Sequence, residues 1–224
     1  MGDLINTIKI VCFEVMVTMA LEQIRVGYDN FCYLISCPKQ KKAAIIDPGF
    51  DATEVLQRLN GQQLSLEYII LTHYHSDHTA DCKRIKKLFP SSKIVASEFD
   101  GKHAGVQPDI VVTDGRHIAL GDLTFEFLIT PGHTPGGICI IVDNAAILTG
   151  DTLFIGDCGR TDLPGGDLEQ MFQTLHEKIM KLPDHLVVYP GHDYGDTPFD
   201  TLGNQKRINK TLRAQTLREF SLIP

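Results

Sequence analysis

The chain has 224 residues, 43% hydrophobic and 22% charged, which is the composition of a globular domain with an ordinary core. Its formal net charge of −7 at pH 7 argues against a nucleic-acid backbone or an anionic membrane as partner. Six cysteines lie scattered without C-x-x-C spacing, so we expect free thiols and a cytoplasmic location. A disulfide between Cys32 and Cys37 is disfavoured because the two side chains would lie on opposite faces of one strand.

Residues 1–18 precede the first clear strand pattern. The segment from Ile8 to Leu21 is mostly apolar, but Glu14 interrupts it and it is too short to span a bilayer. A secretory signal is the alternative, and the lack of an evident small-x-small cleavage site disfavours it. We therefore expect an N-terminal extension over residues 1–18 and a single domain over residues 19–224.

Short runs with strand character dominate the next thirty positions. Residues 24–26 and 31–35 flank a turn at residues 27–30, and residues 43–46 form a third strand that ends at Asp47. Asp47 has two interpretations of equal weight. It either makes an Asx-type turn before a proline or orients a ligand histidine.

A helix and a strand lead to the most informative part of the sequence. Asp51 and Glu54 form a capping-box pattern that predicts a helix, and residues 68–71 form an apolar strand. Three imidazoles and a carboxylate follow directly, in the pattern His-x-His-x-Asp-His: His73, His75, Asp77 and His78.

This histidine cluster predicts a metal site. Neutral imidazoles in a loop at a strand end can converge on a cation. His73 and His75 are two positions apart and would serve one metal, whereas Asp77 and His78 project differently and would serve a neighbouring one. Solvated loop histidines are the alternative, and they do not account for so dense a ligand set.

The middle of the chain alternates helix and strand patterns. Ala80 to Phe89 has the pattern of a surface helix, and residues 93–96 and 110–112 are short strands. Residues 123–129 alternate with period two and end in a Gly/Pro turn that contains His133.

The last third supplies two more strand ends with ligand-type residues. A strand at residues 145–148 leads to Asp151, and a strand at residues 186–189 leads to His192. Between them Asp167 and Gln170 open a helix whose apolar stripe runs from Leu168 to Leu182, and a final helix is expected over residues 202–220. Four other histidines lack this context and are interpreted as surface or structural: His103, His117, His176 and His185.

The order of these residues, His-x-His-x-Asp-His, then Gly-His, Gly-Asp and Gly-His, resembles the metallo-β-lactamase superfamily over about residues 20–213. The resemblance implies an α/β fold, the αβ/βα four-layer sandwich of two mixed β-sheets flanked by helices. It also implies two metal positions with one bridging carboxylate. The implied ligands are His73, His75 and His133 on one ion, Asp77, His78 and His192 on the other, and Asp151 between them.

The cofactors implied are two divalent ions, zinc with iron or manganese as alternatives, about 3.5–4 Å apart. They would hold a bridging hydroxide as nucleophile at neutral pH, so no serine or cysteine nucleophile is required. Asp77 is assigned a catalytic role as well as a ligand role.

Residues 151–162 and 190–194 look like the glyoxalase II branch of the superfamily, which hydrolyses thioesters such as S-2-hydroxyacylglutathione. By that resemblance Arg160 and Tyr194 would bind the thiol part of the substrate, a small-molecule thioester or a glutathione-like thiol. Asp162 stands where that family has an aromatic residue. The sequence leaves a homo-oligomer open.

Two alternatives remain. Residues 158–162, 176–179 and 192–194 also resemble persulfide dioxygenases, which oxidise glutathione persulfide to sulfite with one Fe(II) held by residues matching His73, His133 and Asp151. Both branches keep the full histidine cluster, so it does not decide between them, and residues 152–154 and 163–167 favour the hydrolase. A metal-binding module without chemistry is the third hypothesis, and the intact ligand set argues against it.

Overall fold

The computed structural model describes residues 8–10, as backbone only, and residues 19–223. Seven strands form the first sheet, in the order β1 to β7. The first four strands pair antiparallel, and β4 to β7 pair parallel. The strands are β1 Ile8–Ile10, β2 Met19–Val26, β3 Asn30–Cys37, β4 Lys42–Ile46, β5 Ser65–Ile70, β6 Lys93–Ala96 and β7 Ile110–Val111.

Six strands form the second sheet. They are β8 Arg116–Leu120, β9 Leu123–Ile129, β10 Ile138–Val142, β11 Ala146–Gly150, β12 Val187–Pro190 and β13 Asp200–Thr201. Their order is β13-β12-β11-β10-β9-β8, and only β11 and β12 are parallel. The carboxyl ends of β11 and β12 therefore lie at the same edge of this sheet.

Helices cover the outer faces of both sheets. They are α1 Thr53–Gly61, α2 Ser76–Thr79, α3 Cys82–Leu88, α4 Glu98–His103, α5 Leu168–Gln173, α6 Leu202–Ile208, α7 Lys210–Arg213 and α8 Leu217–Phe220. A π-helical turn, Thr174–Lys178, and a 3₁₀ turn, Ile179–Lys181, continue α5. None of the helices in the described part of the chain combines the length and apolarity that a bilayer span requires.

The two sheets pack face to face, as the alternation along β3 makes plain. Tyr33 and Ile35 lie in the central core with Phe125, whereas Cys32 and Leu34 point to the outer core beneath α1 and α3. A third core, with Met171 and Leu175, lies between the second sheet and α5. The αβ/βα sandwich inferred from the sequence resemblance is confirmed.

Cys32 and Cys37 lie on opposite faces of β3. Cys32 lies in the outer core and Cys37 in the central core, and all five cysteines within residues 19–223 are free. Cys12 lies outside the described residues. The division into residues 1–18 and 19–224 stays a prediction, although β1 lies within the first segment and pairs with β2.

Three helix predictions need correction. The predicted capping box at Asp51 is wrong: Asp51 is left-handed with φ of 59°, and the Ala52 N–H donates instead to the Asp81 carboxylate at 2.7 Å. The stripe from Leu168 does not form one regular helix, because it widens into the π-helical turn and Leu168 is 37% exposed. The Asp167 cap itself is present, with the Gln170 N–H at 2.9 Å.

The final helix breaks at Asn209, where residues 202–220 were expected to be continuous. Asn209 has an extended ψ of 122°, and its buried side chain donates to the Phe154 and Asp157 carbonyls at 3.1 and 3.0 Å. The same side chain caps α7 through the Thr211 N–H at 2.9 Å. This tertiary contact separates α6 from α7, and Thr216 caps α8 separately through the Glu219 N–H at 3.1 Å.

Candidate metal centre

The loop after β5 changes its backbone conformation halfway along the histidine cluster. His75 is extended, with φ of −59° and ψ of 144°, and α2 begins at the next residue. His73 and His75 therefore lie on the extended part, while Asp77 and His78 lie on a helical turn. His73 and His78 are buried, and His75 and Asp77 are partly exposed.

The structure gathers the six predicted triad residues into two groups. In each group the candidate ligand atoms lie within 4.8 Å of one another. The first triad is His73, His75 and His133, and the second triad is Asp77, His78 and His192. In the first, His133 Nε2 lies 2.9 Å from His75 Nδ1. The turns after β9 and β12 bring His133 and His192 from the second sheet to the loop of the first.

Asp151, at the exit of β11, lies between the two triads. Its Oδ2 atom is 3.4 Å from His133 Nε2 and 3.4 Å from His192 Nε2. Its Oδ1 atom is 3.4 Å from His78 Nε2. One buried carboxylate thus faces ligand atoms of both triads.

Hydrogen bonds on the far side of the rings orient the histidines. His133 Nδ1 donates to the Arg160 carbonyl at 2.7 Å, and His78 Nδ1 donates to Asp47 Oδ2 at 3.1 Å. His192 Nδ1 donates to Asp29 Oδ1 at 3.2 Å. Because the proton is held on Nδ1, the lone pair of Nε2 points into the site, as metal-binding histidines require.

Thr72 does the same for His73. Its hydroxyl donates to Asp47 Oδ2 at 2.5 Å and lies 3.1 Å from His73 Nδ1. Asp47 also accepts the Thr72 N–H at 2.7 Å. Of the two interpretations of Asp47, the structure supports the one in which it orients a ligand histidine.

Two buried atoms inside the site have no hydrogen-bond partner, namely His73 Nε2 and Asp151 Oδ1. In the second triad, His78 Nε2 is 3.2 Å from His192 Nε2, and Asp77 Oδ2 is 3.6 and 3.5 Å from those nitrogens. Metal bonds of about 2.0–2.2 Å at tetrahedral angles separate ligand atoms by about 3.3–3.6 Å. The donor set and its spacing therefore fit a divalent ion such as zinc.

Protonation in the metal-free chain follows the same arrangement. Burial lowers the pKa values of His73 and His75. Burial would also lower the pKa of His78, but Asp151 and Asp47 raise it to about 9. Burial would raise the pKa of Asp151, yet the neighbouring histidines hold it well below its usual range. In the metal-free chain at neutral pH, a protonated His78 thus lies beside an ionised Asp151.

A cavity of about 450 Å³ opens above the triads. Its outer wall includes Arg160, Tyr194, Phe154 and Leu163. The Tyr194 ring stacks on His192, with ring centroids 4.7 Å apart. The Arg160 guanidinium makes two hydrogen bonds to Asp162, at 2.7 and 2.8 Å. A substrate carboxylate would have to share or displace that partner.

The remaining histidines lie away from the triads. His103 stacks on Phe99 and His117 faces Glu126 on the surface. His185 bonds a backbone carbonyl at 2.8 Å, and His176 packs on Phe172. Two residues that contact the second triad, Asp29 and Asn30, were assigned only to a turn, because Asp and Asn are ordinary turn residues and carry no other local signal.

Comparison with known proteins gives consistent results. A family model described as the metallo-beta-lactamase superfamily matches residues 26–192. The mitochondrial persulfide dioxygenase ETHE1 of Homo sapiens is 33% identical over 185 residues, 82% of this chain and 71% of that protein. The hydroxyacylglutathione hydrolase GloC of Haemophilus influenzae is 33% identical over 208 residues, 85% of this chain and 96% of that protein.

A solved structure also matches the fold. The crystal structure of ETHE1 from Myxococcus xanthus superposes with a TM-score of 0.82 at 27% identity, covering 91% of this chain and 92% of that one. The fold, the paired triads and these matches support binding of divalent metal by an enzyme. The chain belongs to the metallo-beta-lactamase superfamily.

Proposed function

We propose that the protein is a metal-dependent thioester hydrolase that uses two divalent ions. The position of Asp151 carries this proposal, because its Oδ2 atom lies 3.4 Å from a histidine of each triad. A carboxylate that faces two complete ligand sets is the arrangement expected of a two-metal site.

In this proposal the first triad holds one ion, the second triad holds the other, and Asp151 contacts both. Ions bound there would supply an activated water at neutral pH and polarise a substrate carbonyl. The chain itself orients the ligands through Asp47, Thr72 and the Arg160 carbonyl. Asp77 serves as the partly exposed carboxylate of the second triad, at the cavity surface.

The cavity wall suggests where the thiol part of a substrate would lie. Phe154 and Leu163 offer apolar contact, and Arg160 is the basic side chain among the described lining residues. Burial, together with the charges of Asp29 and Asp151, raises the pKa of Tyr194 to about 12. Its hydroxyl therefore stays protonated and can donate a hydrogen bond to a carbonyl or carboxylate of the substrate. The relative named hydroxyacylglutathione hydrolase supports a glutathione thioester.

A persulfide dioxygenase with one Fe(II) is the second candidate. His73, His133 and Asp151 are all buried, with Asp151 Oδ2 at 4.0 and 3.4 Å from the two ring nitrogens, whereas His75 is half-buried. Two histidines and one carboxylate form a facial triad typical of non-haem iron oxygenases. The relative and the solved structure named ETHE1 support this reading.

Metal analysis and paired activity assays distinguish the thioester hydrolase from the persulfide dioxygenase. Protein made in zinc-replete and in iron-replete medium is analysed for metal per chain, then offered S-D-lactoylglutathione without oxygen and glutathione persulfide with an oxygen electrode. Two ions and thioester cleavage are expected. Oxygen uptake by a one-iron preparation without cleavage would replace the hydrolase with the dioxygenase. Bound metal without either reaction would favour the non-catalytic module.

A further inference from the structure

The turn between β2 and β3, together with Asn30 at the start of β3, touches the second triad through two consecutive side chains. The first is Asp29, whose Oδ1 atom accepts the His192 Nδ1 proton at 3.2 Å. Backbone bonds hold this contact in place, since Asp193 N donates to the Asp29 carbonyl at 2.9 Å and Phe31 N donates to the Gly191 carbonyl at 2.8 Å. The turn is therefore fixed against the loop that carries His192.

Asn30 reaches further into the site. It is 5% exposed, and its Nδ2 atom donates to Asp77 Oδ2 at 2.9 Å. The same nitrogen lies 3.4 Å from His78 Nε2 and 3.5 Å from His192 Nε2. An amide oxygen in that place would face the Asp77 carboxylate oxygen, which only accepts hydrogen bonds, so the amide nitrogen is the atom assigned there.

The first triad is held by other groups. His133 is oriented by the Arg160 carbonyl and His73 by the Thr72 hydroxyl. Within residues 19–223, no hydrogen bond or ion pair runs from Asp29 or Asn30 to a histidine of the first triad. The β2–β3 turn therefore acts on one triad alone.

We propose that Asp29 and Asn30 are positioning residues that set the affinity of the second triad for its ion, and thereby decide whether the chain holds one ion or two. The inference rests on the proposed two-metal function and assigns control of the second ion to this turn. Asn30 fixes the Asp77 carboxylate so that Oδ2 faces the triad. Asp29 keeps the His192 proton on Nδ1, which leaves Nε2 free to bind.

Comparable metal sites indicate how much zinc affinity the variants should lose. Removing an outer partner of a ligating side chain weakens metal binding by about 10–100-fold. Asn30→Leu removes the donor at nearly constant volume, and Asp29→Ala removes the acceptor. Each variant should lower the affinity of the second triad for zinc by about 10–100-fold. The zinc affinity of the first triad should stay within about twofold of the wild-type value.

Zinc titration of the metal-stripped full chain against a competing chelator measures both affinities. The matched control is Gln23→Ala. Gln23 lies on β2 and donates to the Tyr33 hydroxyl and the Pro198 carbonyl at 3.0 and 2.9 Å. Its replacement by alanine therefore removes bonds of the same strands without touching a triad. This control should leave both zinc affinities unchanged.

A second readout needs no metal. Imidazole ¹⁵N spectra of the stripped protein report which ring nitrogen carries the proton. Asp29→Ala should change the His192 tautomer and leave His133 unaffected. Asp29→Asn, which keeps an acceptor oxygen in place, should restore both the tautomer and most of the second-site affinity.

The outcomes are distinguishable. The inference would be overturned if the variants lowered the zinc affinities of both triads equally, lowered that of the first triad only, or left both unchanged. So would an unchanged His192 tautomer in Asp29→Ala. A wild-type chain that takes no second zinc at millimolar concentration would contradict both this inference and the two-metal hydrolase. Two bound ions without thioester cleavage would contradict the proposed function alone.

Discussion

The Nδ1 atom of His133 lies 2.7 Å from the backbone carbonyl oxygen of Arg160. The backbone of residue 160 thus supports a candidate metal ligand, while the side chain of the same residue lines the cavity. A substitution at this position removes the guanidinium and leaves the carbonyl. Metal binding and substrate binding can therefore be separated at a single residue.

Arg160→Ala should raise KM for S-D-lactoylglutathione roughly fivefold or more, with a smaller change in kcat, because it removes binding shared by ground and transition states. Metal content should not change. Steady-state kinetics and metal analysis of the same preparation check both statements. Asp162→Ala, which frees Arg160 from its bidentate partner, should keep or lower KM. A metal-depleted Arg160→Ala protein would contradict this division of roles.

Asp151→Asn should lose at least one ion per chain and lower turnover by at least about a hundredfold, because the neutral amide no longer balances the charge between the triads. His176→Gln is the matched control, since His176 packs on Phe172 away from both triads. It should keep its metal content and its turnover. Losses of equal size in the two variants would mean that the ligands are wrongly assigned.

Gly132, just before His133, has a φ of 141° that side-chain-bearing residues rarely adopt, and a Cβ there would lie 2.5 Å from Met171 Cα. Gly132→Ala should therefore destabilise the fold by about 1–3 kcal/mol or more and displace His133. Urea unfolding and metal affinity measure the two effects. Gly61→Ala, where a Cβ meets nothing within 4 Å, should be neutral or slightly stabilising. Equal stability of both variants would show that the loop adapts.

Metal uptake should depend on pH through His78. In the metal-free chain burial would lower the pKa of His78, but Asp151 and Asp47 raise it to about 9. Below this pKa the proton competes with the metal, so apparent affinity should rise with pH and level off above about 9. Near pH 7, binding should release a proton that an indicator dye detects in weak buffer.

Asp47→Asn provides the control for that titration. It removes a charge and weakens the hydrogen bond on His78 Nδ1, so the inflection in affinity should move to lower pH. An affinity that stays flat between pH 7 and 9 in the wild type would contradict the assigned role of His78.

The residues around β5 were predictable because their signals are local. An apolar strand followed by His-x-His-x-Asp-His gave both the element and the ligand types, and the resemblance built on that order supplied the fold. Asp29 and Asn30 gave no such signal. Their partners, Asp77 and His192, lie far along the chain. Asp77 follows β5 of the same sheet, whereas His192 comes from the second sheet and meets Asp29 only because the two sheets pack together.

The same limit explains the misplaced helix ends. Residues 202–220 have a continuous helical pattern, but Asn209 leaves the helix to bond two carbonyls about fifty positions earlier in the chain. Asp51 resembles a cap, yet the partner that the Ala52 N–H finds is Asp81. Local propensity was outweighed in both places by contacts between distant segments.

Each triad draws its members from both sheets. The loop after β5 supplies His73, His75, Asp77 and His78, whereas His133 and His192 come from turns of the second sheet. An ion in either triad would act as a cross-link between the two halves of the sandwich. Removal of the metal by a chelator should then destabilise the interface between the sheets before it destabilises either sheet. Amide exchange should rise first at the contact where Ile138 N donates to the Thr72 carbonyl.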